Sequence, residues 1–198
     1  RSMNRIQRGA QALKTQNIPA LLIGKRENIY YLTGFRGDDS RLLLTAAGDA
    51  YIFTDGRFLE EAEQAENCTV CCQQPGKGHP ALLGEIVTKA GIDIIAFEGN
   101  SFTYGEYDQF RQALHPCEIK PAYQVIEALR TVKDPEELEL IQQAEAIGDA
   151  AFDAVLPQIK PGMTEKQLAE CIRRELFAAG GEDLSFPVIA ASGPNCSI

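Results

Sequence analysis

Residues Arg41 to Thr54 read RLLLTAAGDAYIFT. Two runs of aliphatic and aromatic residues, Arg41 to Thr45 and Ala50 to Thr54, flank Ala46-Ala47-Gly48-Asp49. That is the pattern of two antiparallel strands joined by a short turn. Upstream, Pro19 to Gly24 (PALLIG) is a continuous apolar run, which predicts a strand buried on both faces. Before it, Met3, Ile6, Ala10 and Leu13 recur at helical spacing, so an amphipathic helix is expected over residues 3 to 17. Asn28 to Phe35 (NIYYLTGF) is mixed and aromatic, and Gly34 to Ser40 is a polar loop. Downstream, Asp55-Gly56-Arg57 turns into a helix with Phe58, Leu59 and Ala62 on one side, and Cys68 to Gln73 is another strand. His79 to Ala90 is a helix stopped by Gly91. Asp93 to Glu98 is a strand and Thr103 to Leu114 a helix. Cys117 to Lys120 is an edge strand bounded by Pro116 and Pro121. This alternation predicts an α/β layer architecture, a mixed sheet flanked by helices, over residues 3–127.

The pattern changes near residue 128. Asp134-Pro135-Glu136-Glu137 is a strong helix start: Asp134 can cap, Pro135 suits the first helical position, and Glu137 completes a capping box. Leu138, Ile141, Ala144 and Ile147 carry the apolar face toward Pro157. Lys160-Pro161-Gly162 breaks the run, and Thr164 with Gln167 caps a second helix that reaches Gly180-Gly181. Phe186 to Ala191 (FPVIAA) reads as a strand. Residues 128–198 are thus expected to hold two helices and the beginning of a sheet, too little to close a core.

Composition narrows the function. Of 198 residues, 44% are apolar and 24% charged, as in an ordinary globular protein. Nineteen Lys and Arg stand against 28 Asp and Glu, a formal charge of -9. This argues against nucleic acid, which needs clustered positive charge, and against an anionic membrane surface. The longest strongly apolar stretch, Ile18 to Ile23, is too short to span a bilayer, and RSMNRIQRGAQ lacks an apolar signal core. The six cysteines include the run Cys68, Cys71 and Cys72. With no second cysteine pair and only His79 and His115 in the chain, free thiols are expected rather than zinc, and a cytoplasmic location with them.

Several motifs carry competing readings. Gly76, Gly78 and Ala81 match G-x-G-x-x-A, with Glu98 near the spacing of a ribose-binding acid. Pro80 removes an amide that a phosphate would use, and the preceding strand is not the first of the sheet, so a plain turn is favoured. Asp38 and Asp39, beside Arg36, are neighbours that point different ways and make no ready acid/base pair. Asp55 to Arg57 reads as turn and cap geometry. Neither histidine lies near a convincing nucleophile in sequence.

Five stretches in order resemble a known family. They are Asn28 to Phe35, Phe53 to Phe58 (FTDGRF), Leu129 to Glu137 (LRTVKDPEE), Lys160 to Glu165 (KPGMTE), and Phe186 to Ile189 with Ser192 to Asn195. Together they resemble the pita-bread metallopeptidases specific for proline: Xaa-Pro aminopeptidase, Xaa-Pro dipeptidase (prolidase) and their relative creatinase. The resemblance implies a creatinase-like N-terminal domain (3–127) followed by the truncated start of a pita-bread α+β catalytic domain (128–198). It implies hydrolysis of the bond before proline in proline-containing peptides, by two divalent metal ions (Mn, Co or Zn). Those ions are held in the family by two aspartates, a histidine and two glutamates. The matching positions fall downstream of Ile198, so no catalytic residue or metal ligand is assigned here and the chain alone is expected to be inactive.

The resemblance also implies a homodimer built through the N-terminal domain. In dimeric relatives a loop of that domain reaches the partner's active site. Gly34 to Ser40 occupies the matching place, which makes Arg36, Asp38 and Asp39 candidates to meet peptide termini. A guanidinium can hold a carboxylate, and an aspartate an amino terminus. Phe186 and Ile189 are candidates for the pocket wall or for ordinary core. Two other readings stay open: a non-catalytic interaction module with basic partners, and a metal-free creatinase-like hydrolase.

Overall fold

Side chains alternate sides along a strand, so a strand covered on both faces is apolar throughout. This accounts for the layers seen in the computed structural model, which describes residues 3–197. The chain forms two units, Arg1–Val132 and Lys133–Ile198. The first runs α1 (Arg5–Thr15), β1 (Ala20–Ile23), α2 (Arg26–Thr33), β2 (Arg41–Thr45), β3 (Ala50–Thr54), α3 (Leu59–Ala62), β4 (Thr69–Cys72), α4 (His79–Ala90), β5 (Ile94–Glu98), α5 (Tyr104–Leu114), β6 (Glu118–Ala122) and α6 (Val125–Thr131). Its mixed sheet has the order β4-β3-β2-β1-β5-β6. The hairpin forms as expected, with Leu43 opposite Tyr51, and β1 is antiparallel to β2 but parallel to β5.

Two cores follow from the alternation. Leu21, Ile23, Leu42, Leu44 and Ile52 face Ile6 and Leu13 of α1, Ile29 of α2 and Ile126 of α6. Ala20, Leu22, Leu43 and Phe53 face Leu83 and Val87 of α4 and Phe110 and Leu114 of α5. The mixed stretch Asn28 to Phe35 is largely helix α2, closed by Gly34 in the left-handed conformation (φ +77°). Strand β6 continues through Pro121 to Ala122 rather than stopping before the proline. The sheet edge explains this: Glu118 N–H donates to Asp93 O, and alternation leaves the Pro121 nitrogen on the open side. Helix α6 passes through the 127/128 position, because Val125 and Ile126 are buried in the first core.

The second unit holds α7 (Pro135–Val155) and α8 (Glu165–Ala178), which pack on each other with Ala151, Val155 and Cys171 buried. Both expected capping boxes form: Asp134 Oδ1 accepts from Glu137 N–H at 2.9 Å, and Thr164 Oγ1 from Gln167 N–H at 3.2 Å. The strand expected over Phe186 to Ala191 does not form. A strand is stable only beside another, and among the described residues this unit has none to pair with.

Candidate functional site

The 34–40 loop is shaped by short-range chemistry. Thr33 Oγ1 donates to Ile29 O at 2.7 Å and accepts from Phe35 N–H at 3.1 Å, so the chain turns as soon as α2 ends. Phe35 is then driven inward and is 2% exposed. Its ring occupies the space beside Gly37, where a Cβ would lie 2.2 Å from a ring carbon. The far end is held by hydroxyls. Ser40 Oγ donates to Asp38 O at 2.9 Å, so at the 3.0 Å contact between Ser40 Oγ and the buried Thr54 Oγ1 the threonine is the donor. With 35, 37 and 40 turned in, Arg36, Asp38 and Asp39 are turned out to solvent.

The outward side chains are positioned individually. Arg36 lies 4.9 Å over the Tyr30 ring and donates to Tyr30 Oη at 3.1 Å. Its backbone N–H donates to Glu61 Oε1 at 2.8 Å. Asp38 pairs with Arg26 at 3.0 Å. Asp39, at φ +52°, pairs with Arg57 at 3.2 Å. Arg57 also grips Asp55 with Nε at 3.0 Å and Nη2 at 2.7 Å, while its backbone N–H donates to Asp55 Oδ1 at 2.8 Å. Asp55-Gly56-Arg57 is therefore the turn its composition indicates, with Arg57 reaching on to the loop. The hydrogen bonds from Arg57 pull the Asp55 carboxyl down to about 2, and Asp55 with Asp39 pushes the Arg57 guanidinium up. Asp38 and Asp39 face different arginines, so they do not form a proton-sharing pair. The loop offers a guanidinium and two carboxylates at separate places, a set suited to binding charged ends rather than to proton transfer.

Behind the loop is a buried network that sequence reasoning missed. Asn28, fully buried in α2, donates to Glu98 Oε1 at 2.6 Å and accepts from Arg130 Nη1 at 2.9 Å. Glu98 Oε2 accepts from the backbone N–H groups of Gly24 at 2.9 Å and Lys25 at 2.8 Å. Burial pushes the Glu98 carboxyl up, against these donors. The one legible signal was a polar Asn on the apolar side of the Asn28 to Phe35 run. Glu98 is thereby committed inward and is not a ribose-binding acid. The glycine loop is a plain turn, with Gly76 at φ +79° and Lys77 N–H donating to Gln74 O at 2.9 Å.

In the second unit Phe186 and Ile189 are 68% and 83% exposed, and neither belongs to a core there. The segment after them is tied to α8: Glu165 Oε1 accepts from Ser192 N–H at 2.6 Å, and Asn195 Nδ2 donates to both Glu165 oxygens at 3.0 Å. All six cysteines are free. Among the described residues no three His, Cys, Asp or Glu side chains converge as a metal site. No helix among them is long and apolar enough to cross a membrane.

Comparison with known proteins adds to this geometry. Residues 5–132 match the Creatinase/Prolidase N-terminal domain, and residues 139–198 match Metallopeptidase family M24. The chain is 31% identical over 182 residues to the uncharacterized peptidase YqhT of Bacillus subtilis, covering 91% of this chain and 51% of that one. It is 26% identical over 178 residues to the Xaa-Pro dipeptidase of Pyrococcus horikoshii, covering 89% and 48%. The solved Xaa-Pro dipeptidase from Bacillus anthracis superposes with a TM-score of 0.85 at 26% identity, over 92% of this chain and 50% of that chain. The chain thus spans about half the length of the relatives it matches.

Proposed function

The chain belongs to the creatinase/prolidase N-terminal domain family through residues 5–132, and from that premise we propose that it is part of an Xaa-Pro peptidase. The reaction is hydrolysis of the peptide bond before proline, in dipeptides or at the amino end of longer peptides. The observation that carries this reading is the match over both units to a solved Xaa-Pro dipeptidase. The M24 match over 139–198 supports reading the whole protein as a metallopeptidase. On this reading it works with two divalent ions (Mn, Co or Zn), held by residues downstream of Ile198. On this reading the chain alone is inactive.

The role of this chain's own residues is substrate positioning. The protein is a cytoplasmic homodimer in which the 34–40 loop of one protomer closes on the active site of the other. Arg36 receives the peptide carboxylate, and Asp38 and Asp39 the amino terminus. Phe186 and Ile189 form an apolar wall for the proline ring once the segment that carries them has a strand to pair with.

The test is a paired assay of this chain and the product of its complete reading frame. Both are incubated with Mn, an Ala-Pro dipeptide and an Xaa-Pro-Pro tripeptide. Cleavage by the longer product alone is the expected result. No cleavage by either, where a proline peptidase of known activity works, overturns the proposal in favour of an interaction module or a metal-free hydrolase.

A further inference from the structure

His79 opens α4 and sits at the corner where that helix meets the end of β3 and the 34–40 loop. Its ring is tilted over Phe53, with centroids 6.4 Å apart, and the backbone of Thr54 approaches it. Its Nε2 is buried and forms no hydrogen bond. Thr54 is fully buried and donates its hydroxyl proton to Ser40, which in turn holds the carbonyl of Asp38. A contiguous path therefore runs from the imidazole through Thr54 and Ser40 into the loop.

We propose that His79 is a pH-sensitive positioning residue for the 36–40 loop: neutral, it closes the corner of α4, β3 and the loop; protonated, it opens that corner and loosens the loop. The charged groups facing the ring come from each neighbouring element. Arg41 of β2 opposes protonation, while Asp55 after β3 and Asp39 of the loop favour it. Both acids are already gripped by Arg57. The helix N-terminus adds a further positive end against an imidazolium. Burial outweighs both the hydrogen bond to the Thr54 backbone and the two acids, and lowers the His79 pKa below 6.5. The folded state then holds fewer protons than the unfolded one as pH falls below about 6.5. The closed corner is fully favoured above that pH and is lost as pH falls through the lowered value.

The proposal concerns the order of the loop and holds whatever the loop meets, so it fails or stands separately from the peptidase reading. The chain has only two histidines, so NMR resolves the ring protons of His79, with His115→Asn assigning the other. We expect the His79 ring to titrate below the ordinary range. Over that same step, amides 38–41 and 54–57 lose hydrogen-exchange protection, after correction for the intrinsic pH effect. Each unit of lowering corresponds to about a tenfold loss of the closed form. His79→Phe, which keeps a neutral ring, is expected to abolish the step. Unchanged protection of those amides between pH 8 and pH 5 in the unsubstituted chain overturns the proposal, as does an identical step in a folded His79→Phe.

Discussion

Replacing Asn28 with alanine removes the one side chain that hydrogen-bonds both Glu98 of β5 and Arg130 of α6. Both bonds involve a charged group, and such bonds contribute about 1.5–3 kcal/mol each. The Glu98 side has little access to replacement water, since Glu98 is 7% exposed, and its carboxylate keeps only the Gly24 and Lys25 amides. The Arg130 side is partly exposed, and water recovers much of that bond. The net loss is about 3 kcal/mol. For a unit of this size that lowers Tm by about 10 °C. All six tyrosines lie in the first unit, at 30, 31, 51, 104, 107 and 123, and the chain has no tryptophan, so tyrosine fluorescence reports that unit's unfolding alone. A double-mutant cycle with Arg130→Ala is expected to return a coupling of about 1–2 kcal/mol. A loss below about 1 kcal/mol for Asn28→Ala, or a coupling near zero, refutes the network as what ties α6 to α2 and β5 within the first unit.

Three further outcomes follow from the loop. Gly37→Ala places a methyl against the buried Phe35 ring and should destabilise the first unit by about 1–3 kcal/mol, read as a drop in Tm; no change means the ring moves aside freely. The Asp55 carboxyl should titrate near 2 by NMR, and Arg57→Ala should return it toward the ordinary carboxylate range. Because that pKa is depressed, the ordering of the 55–57 turn is present above about 3.9 and lost as pH falls through about 2. In the product of the complete reading frame, Arg36→Ala should raise KM for an Xaa-Pro peptide about tenfold with kcat less affected, as expected for one lost charge-assisted contact. A fall in kcat alone would contradict a binding role.

Much of the α/β unit was legible because its signals are local. RLLLTAAGDAYIFT announces a hairpin through its apolar periodicity and small-residue turn, and Leu43 and Tyr51 do stand opposite each other. The capping boxes at Asp134 and Thr164 were equally plain, since the partner of each cap is three residues away. Helix α2 was ambiguous because Asn28 to Phe35 is aromatic enough for either state, and the Gly34 cap decides only its end. The expected strand at Phe186 to Ala191 failed for the opposite reason: strand propensity describes a fit to neighbours, and among the described residues the second unit has no strand beside it.

The candidate site divides in the same way. The amino-acid order by itself determined that residues 34–40 form a charged loop ahead of a strand, that Arg36, Asp38 and Asp39 share it, and that Asp55-Gly56-Arg57 is a turn. It also determined the two faces of each strand, because alternation is a property of the backbone alone. Only the tertiary structure decided that Asp39 meets Arg57, that Thr54 locks Ser40, and that Asn28 joins Glu98 to Arg130, 70 and 102 residues away. Those pairings depend on β2 lying between β1 and β3 and on β1 lying beside β5. Strand order is settled by how two helical layers bury both faces of the sheet, a sum over the whole unit that no local stretch contains.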